Sequence, residues 1–237
     1  MDGAAMLVGD VGCGAGATSI AAARANSKAR IIGMDLSEAL LAVAAERAAG
    51  LDNLGFVAGP VEDILPPLGP FDLIVSRHGV MFFPDPVDGL AAMRAGAAPG
   101  AGLIFSCFRA PSHNLWSSEI VAAMLDAPPP PPEAYAPGPF AFADEKFVRS
   151  VLAAAGWSNA EPRAVDFTYR AGEGEDPVAD AVAFFTRIGP AARVLRDAPA
   201  GRRRDMLDRV AEVCARYRHG NAVDFPAAAW LWSAENR

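Results

Sequence analysis

The segment Val8-Gly9-Asp10-Val11-Gly12-Cys13-Gly14-Ala15-Gly16 constrains the fold of this chain more than any other. It closes a short apolar run, Met6–Val11, and precedes a helical pattern, Thr18–Asn26. Glycines recur there because the backbone must turn tightly and let a ligand approach it. The helix beyond the loop leaves its first N–H groups free. A strand, a glycine turn and a helix in that order begin a βαβ unit, and so predict a parallel sheet.

The rhythm continues through the first half. Arg30–Met34 is the second predicted strand, closed by Asp35. Ser37 is the expected N-cap of a helix reaching Ala49, with Gly50 just beyond its end. Leu54–Ala58 and Phe71–Ser76 supply strands three and four. Asp85-Pro86 opens a helix to Ala97, with Pro86 at its favoured first-turn position. Pro99–Gly102 reads as a turn and Leu103–Phe108 as strand five. Arg109–Ala143 then breaks the pattern with Pro128–Pro132 and Pro137-Gly138-Pro139, which suit neither a helix interior nor a central strand. The proline run reads as a stiff polyproline connector. Asp144 caps a helix through Ala155 that Gly156 ends, and Val165–Tyr169 alternates as strand six. Pro177–Ile188 and Arg202–Arg218 read as helices, and the apolar stretch Val223–Ser233 holds a seventh strand.

Composition removes several classes. With 237 residues, 52% hydrophobic and 21% charged, the chain reads as one globular domain rather than a disordered one. Lys+Arg number 21 against 28 Asp+Glu, and the net charge of -7 lacks the global field of a nucleic-acid binder. No apolar run reaches the roughly 18 residues that span a bilayer. The first residues carry no basic segment of the secretory kind. Cys13, Cys107 and Cys214 are far apart and form no C-x-x-C, which implies neither a disulfide framework nor a metal site. A cytoplasmic protein is expected.

Two chemistries share the glycine loop. Gly12, Gly14 and Ala17 satisfy G-x-G-x-x-G/A, which leaves a nicotinamide-dependent oxidoreductase open. Tyr135, Tyr169 and Tyr217 have no lysine four residues on, which speaks against that reading. The loop also reads D-x-G-x-G-x-G from Asp10, and Asp35 ends strand two, where a carboxylate can accept both hydroxyls of a ribose. Phe71-Asp72-Leu73-Ile74-Val75-Ser76 opens on an aromatic–Asp pair.

With these residues the sequence resembles a class I S-adenosylmethionine-dependent methyltransferase, of the small-molecule group that includes the quinone-biosynthesis C-methyltransferases. The resemblance is close from Val8 to Phe108 and looser over Asp144–Ala155 and the chain end. It implies an α/β, Rossmann-like doubly wound sheet of seven strands, mostly parallel, in the order 3-2-1-4-5-7-6. The implied single domain, 1–237, has a core of 1–108, 144–170 and 223–237 and helical lid insertions, 109–143 and 171–222, after strands 5 and 6. S-adenosyl-L-methionine is the implied cofactor. Asp10, Gly12, Cys13, Gly14 and Gly16 would wrap its methionine part, and Asp35 with Leu36 would hold the ribose. At the turn Ala58–Asp63, Pro60 stands where the family has an acid, so the adenine contact passes to Val61 and Glu62 or Asp63. Ser76 opens the segment, through Phe83, that lines the methionine end and the acceptor mouth. Cys13 counts for its small volume and its backbone, since no basic neighbour activates its thiol.

Methyl transfer from a sulfonium is an in-line displacement, so a dedicated catalytic residue is optional. His78 and His113 are the candidate bases; packing under the cofactor is the favoured role of His78, and solvation that of His113. The arginines of 202–218 make a basic patch in which Asp205, Asp208 and Glu212 interleave, as on a solvated helix face. Phe82, Phe83, Trp116, Phe140, Phe142, Phe184 and Phe185 lie on or beside the insertions and suggest an aromatic or apolar small acceptor. A truncated or non-catalytic relative is the further alternative. Gly9 stands where the family favours a larger apolar residue, and Asp10 comes too early for the helices the family carries before strand one. The expectation is a shifted start, a fragment or a degenerate member.

Overall fold

A computed structural model describes residues 5–126 and 134–237. The run Pro128–Pro132 lies outside the described residues. Along the chain, β1 (Leu7–Val11), α1 (Ala17–Ala25), β2 (Arg30–Asp35), α2 (Glu38–Arg47), β3 (Leu54–Ala58), α3 (Val61–Leu68), β4 (Phe71–Arg77), α4 (Pro86–Ala95) and β5 (Ala97–Phe108) form the expected alternation. There follow α5 (Leu115–Met124), α6 (Glu145–Ala154), β6 (Ser158–Glu173), α7 (Pro177–Phe185), α8 (Gly189–Asp197), α9 (Arg203–Arg216), β7 (Arg218–His219) and β8 (Ala222–Glu235). The sheet order is β3-β2-β1-β4-β5-β8-β6, and β7 pairs with β8 alone. This is the predicted order, with the last long strand renumbered because a two-residue hairpin arm precedes it. Gly220, at φ 63, supplies the left-handed turn of that hairpin.

Two compact units divide the chain. The first holds Met1–Cys107, Ala141–Arg163 and Trp230–Arg237; the second holds Phe108–Phe140 and Ala164–Ala229. In the first, β1, β2, β3, β4 and β5 pair in parallel. One face of β1 and β2 packs Val8 and Ile31 against Ala23 of α1, with Leu73 and Val75 beside them. Phe71, Ile74, Leu103 and Phe105 are buried, as are Leu65 of α3, Leu90 and Met93 of α4 and Leu152 of α6. Burial on both faces is why these strands read as continuous apolar runs. A Cβ on Gly9 would lie 3.0 Å from Met34 Cε and 3.2 Å from the Phe71 ring. The missing apolar side chain at Gly9 is therefore replaced in space by Phe71, which is fully buried.

The caps follow the sequence. Ser37 Oγ accepts from Leu40 N–H, Asp85 from Val87 and Asp88 N–H, and Asp144 from Lys146 N–H. Four expectations need correction. Pro99–Gly102 is not a turn: β5 begins at Ala97 and bulges, its register to β4 shifting between Phe71 and Leu73. Asn236 holds that bulge, accepting from Gly100 N–H (2.6 Å) and donating to Ala101 O (2.9 Å). The turn after β3 runs on into α3, whose last turn carries Pro66 and Pro67. The irregular blocks contain two unforeseen helices, α5 and α8. Strand six spans Ser158–Glu173, far beyond Val165–Tyr169, and as the end strand of the sheet it tolerates Pro162.

In the second unit α5 packs on α8 and α9, and α7 on α9. Trp116, Ile120 and Met124 of α5 are buried at helical spacing. Asn114, also buried, donates to the carbonyls of Arg109, Ala110 and Ala228 and accepts from Trp116 Nε1 and Ala228 N–H.

Candidate active site

The carboxyl ends of β1, β2, β3 and β4 carry the residues that the motif singles out, as open α/β sheets place their ligands. Gly12, Gly14 and Gly16 have φ of 67, 54 and 77, a left-handed backbone that side chains rarely adopt. Gly12 and Cys13 N–H both donate to Met34 O, at 2.8 and 3.0 Å. Asp35 then fixes the loop from the end of β2: Oδ2 accepts from Gly14 N–H (2.8 Å) and Oδ1 from Ser37 N–H (2.9 Å). Arg47 braces it further, donating to Ala15 O at 2.7 Å. Each Asp35 oxygen keeps a second lone pair for a ligand hydroxyl. Gly59 N–H donates to Asp35 O, which joins the turn after β3 to the same corner.

Asp10 lies 1% exposed beneath the first turn of α1, where Ser19 Oγ donates to its Oδ2 at 2.6 Å. Burial pushes its carboxyl up to about 6, against the Ser19 hydrogen bond and the charge of Arg77, which lower it. Its Oδ1 is buried without a hydrogen-bond partner among the described residues, and so is Ser76 Oγ. Such atoms are rare in native structures and need an explanation. Gly79 brings the β4 loop against the glycine turn, since a Cβ there would lie 2.7 Å from Ser76 Oγ and 2.8 Å from Val11 O. A Cβ on Gly14, by contrast, would meet no atom within 4 Å, so that glycine faces open space. Leu36 is 74% exposed beside Asp35. Val61 is buried as the first residue of α3, and Glu62 is exposed.

The remaining candidates separate. Burial holds the His78 imidazole down at about 4, with the neighbouring Arg77 charge adding to the effect, so it is neutral near pH 7. Its backbone has φ 58, and its N–H donates to Ser106 O. His113 belongs to the second unit and is exposed. Cys13 is buried, and burial pushes its thiol up to about 12, which removes it as a nucleophile. Three of the 202–218 arginines are in ion pairs: Arg202 with Asp126, Arg209 with Asp205 and Arg216 with Glu119. Of the aromatics, Phe142 is buried in the first unit against Phe105 and Phe147, and Phe185 packs on Phe225. Trp116 stacks on Tyr169 at 4.6 Å and on Phe140 at 6.0 Å within the second unit. Arg77 lies within the Ser76–Phe83 segment without having been singled out there; its Nε donates to Thr18 Oγ1 at 3.0 Å.

A family model described as a methyltransferase domain matches residues 2–127, more than half of the chain. The chain belongs to this methyltransferase family. Among curated methyltransferases, the trans-aconitate 2-methyltransferase of Streptomyces avermitilis is 39% identical over 114 residues, 46% of this chain and 42% of that protein. The malonyl-[acyl-carrier protein] O-methyltransferase of Halalkalibacterium halodurans is 28% identical over 102 residues, 42% of this chain and 38% of that one. The chain thus spans less than half the length of the curated relatives it matches. Among solved structures, the YcgJ protein of Bacillus subtilis superposes with a TM-score of 0.60 at 16% identity, over 99% of this chain and 93% of that one. Phosphoethanolamine N-methyltransferase 2 of Haemonchus contortus, in complex with S-adenosyl-L-methionine, gives 0.54 at 15%, over 98% and 48%. These two likenesses establish the fold, a Rossmann-like methyltransferase sheet.

S-adenosyl-L-methionine is the cofactor of the family, and the residues present fit it. The open space at Gly14, the free lone pairs of Asp35 and the unpartnered Oδ1 of Asp10 offer a backbone cradle, a ribose acceptor and a buried acid within one corner.

Proposed function

We propose that this chain transfers a methyl group from S-adenosyl-L-methionine to a small-molecule acceptor by in-line displacement. The observation that carries the reading is the Asp35 carboxylate clamped on Gly14 N–H. It ties the ribose acceptor to the loop that faces open space. In this assignment Asp35 holds the ribose hydroxyls and Leu36 covers one face of the adenine. Val61 and Glu62 bound the other side of the base. Gly12, Cys13, Gly14 and Gly16 present backbone to the methionine part, with Asp10 and Ser76 beneath it.

The bound sulfonium supplies an activated methyl group. The protein's task is to align donor and acceptor at about 3–3.5 Å and to keep water out. A neutral, half-buried His78 serves that task as packing rather than as a base. The acceptor in this reading is an aromatic or apolar small molecule. The aromatic stack of Phe140, Trp116 and Tyr169 supports this. Three free, buried cysteines accord with a reducing, cytoplasmic setting. Among the described residues no helix is long and apolar enough to cross a membrane.

Thermal melts test the cofactor. At a hundred times its dissociation constant a ligand adds about 2.7 kcal/mol, or roughly 5–10 °C for a chain of this size. S-adenosylmethionine and S-adenosylhomocysteine are expected to raise the melting temperature and NAD to leave it unchanged. A shift with NAD alone overturns the reading. For the acceptor, Phe140→Ala is expected to alter selectivity in a methyl-acceptor screen while leaving S-adenosylhomocysteine affinity intact.

A further inference from the structure

One turn of the first unit carries more charge logic than the glycine motif explains. Arg77 is the last residue of β4 and follows the buried Ser76. Its Nε is held by Thr18 in the first turn of α1. That bond leaves both terminal nitrogens of the guanidinium free to form the two-pronged fork that takes a carboxylate. Among the described residues no carboxylate pairs with it. The same turn is empty of negative charge on its outer side, for α1 has neither a side-chain cap nor an acidic residue at its start. An anion is the natural complement of such a helix end.

The buried side of that turn is the opposite. Ser19 ties Asp10 beneath it, with Oδ1 unpartnered. Arg77 is near enough for its charge to act on that carboxyl. An acid and a guanidinium thus flank one helical turn, next to a loop, 12–16, that holds no lysine or arginine of its own. The ligand that matches both is an α-amino acid zwitterion, its ammonium toward the acid and its carboxylate toward the guanidinium.

We propose that Arg77, steadied by Thr18, binds the α-carboxylate at the amino-acid end of the cofactor. This rests on the cofactor reading above and deepens it. Arg77 is a binding residue here and takes no part in moving a proton.

Calorimetric titration of the full chain with S-adenosylmethionine and with its decarboxylated analogue tests it. Both ligands are cationic sulfonium nucleosides, and they differ in the carboxylate alone. Wild type is expected to prefer the complete cofactor by about tenfold or more, the size of one charge-assisted contact. Arg77→Gln, which can still reach Thr18, is expected to abolish that preference by weakening S-adenosylmethionine only, and Arg77→Lys to restore part of it. An unchanged preference in Arg77→Gln overturns the proposal. An equal loss for both ligands also overturns it, because the residue is then structural; an unshifted melting temperature shows that the variant is folded. Unchanged binding of both ligands with a raised acceptor KM assigns Arg77 to the acceptor instead. If wild type binds neither nucleoside, the cofactor reading itself fails, an outcome distinct from the loss of discrimination alone.

Discussion

Asp10 and His78 sit on adjacent strands' ends and titrate in opposite senses. Asp10 is raised from 3.8 to about 6 because burial penalises its anion. Between those values the folded chain holds the proton more tightly than the unfolded chain, so its contribution to stability falls as pH rises through the window. His78 is lowered from 6.5 to about 4, chiefly by burial. The folded chain then refuses a proton that the unfolded chain takes, and stability falls as pH drops from 6.5 towards 4. Each effect amounts to roughly 3 kcal/mol at its limit, at about 1.4 kcal/mol per unit. They offset, and the wild-type melting temperature is expected to vary little over pH 4–6.5 on their account. Asp10→Asn removes one arm: it is expected to stabilise the ligand-free chain by up to about 3 kcal/mol at pH 7 and to leave a curve that falls steeply in acid. His78→Asn, which tolerates the φ of 58, leaves the opposite slope. Melting curves across pH read both, and parallel curves for the two variants contradict the opposed shifts. The acids of this corner were legible because glycine spacing marks them. Arg77 was not, because its meaning depends on Thr18, which lies far from it in sequence but next to it in the fold.

Between elements, the fit of α3 to α4 is set by an absent side chain. A Cβ on Gly96, at the end of α4, would lie 2.1 Å from Leu65 Cδ2 and 3.0 Å from Leu65 O. Leu65 is fully buried there. Gly96→Ala is expected to cost about 1–3 kcal/mol by overpacking, and Leu65→Ala about 2–5 kcal/mol by leaving a cavity. Because the alanine at 96 needs the room that Leu65 vacates, the double variant is expected to lose less than the sum of the two. Denaturant titrations of all three chains check this, and strict additivity would show that the two sites do not share space. The same helix shows where sequence patterns fail. Val61 and Leu65 stand one turn apart and face inward, but Pro66 and Pro67, which deprive the last turn of two N–H donors, mask the signal. Trp116, Ile120 and Met124 carry a clear helical spacing that the surrounding prolines obscured. The bulge in β5 was unreadable for another reason. Pro99 and Gly100 look like a turn, and the Asn236 that pairs with them comes from the far end of the chain. Caps and the glycine loop depend on neighbours in sequence, and those were legible; the strand order followed from the family resemblance that the loop carries.

At the scale of the whole molecule the net charge becomes an argument about the ligand. The chain carries -7. S-adenosylmethionine bears one net positive charge, from its sulfonium, and S-adenosylhomocysteine none, while the two share every hydrogen-bonding group. Their affinities therefore differ through electrostatics and the methyl group. The electrostatic part includes the field of all the acids, which reaches about 8 Å at physiological salt and some 30 Å at 0.01 M. Lowering the salt from about 0.5 M to 0.02 M is accordingly expected to raise the affinity for S-adenosylmethionine over that for S-adenosylhomocysteine by several-fold. The absolute affinity for the neutral product should stay nearly constant. Arg77 acts in the opposite direction on the sulfonium, so Arg77→Gln is expected to steepen the salt dependence of the ratio even as it weakens binding. Paired titrations at four salt concentrations measure it, and a ratio independent of salt would mean that the acidic surface does not reach the sulfonium.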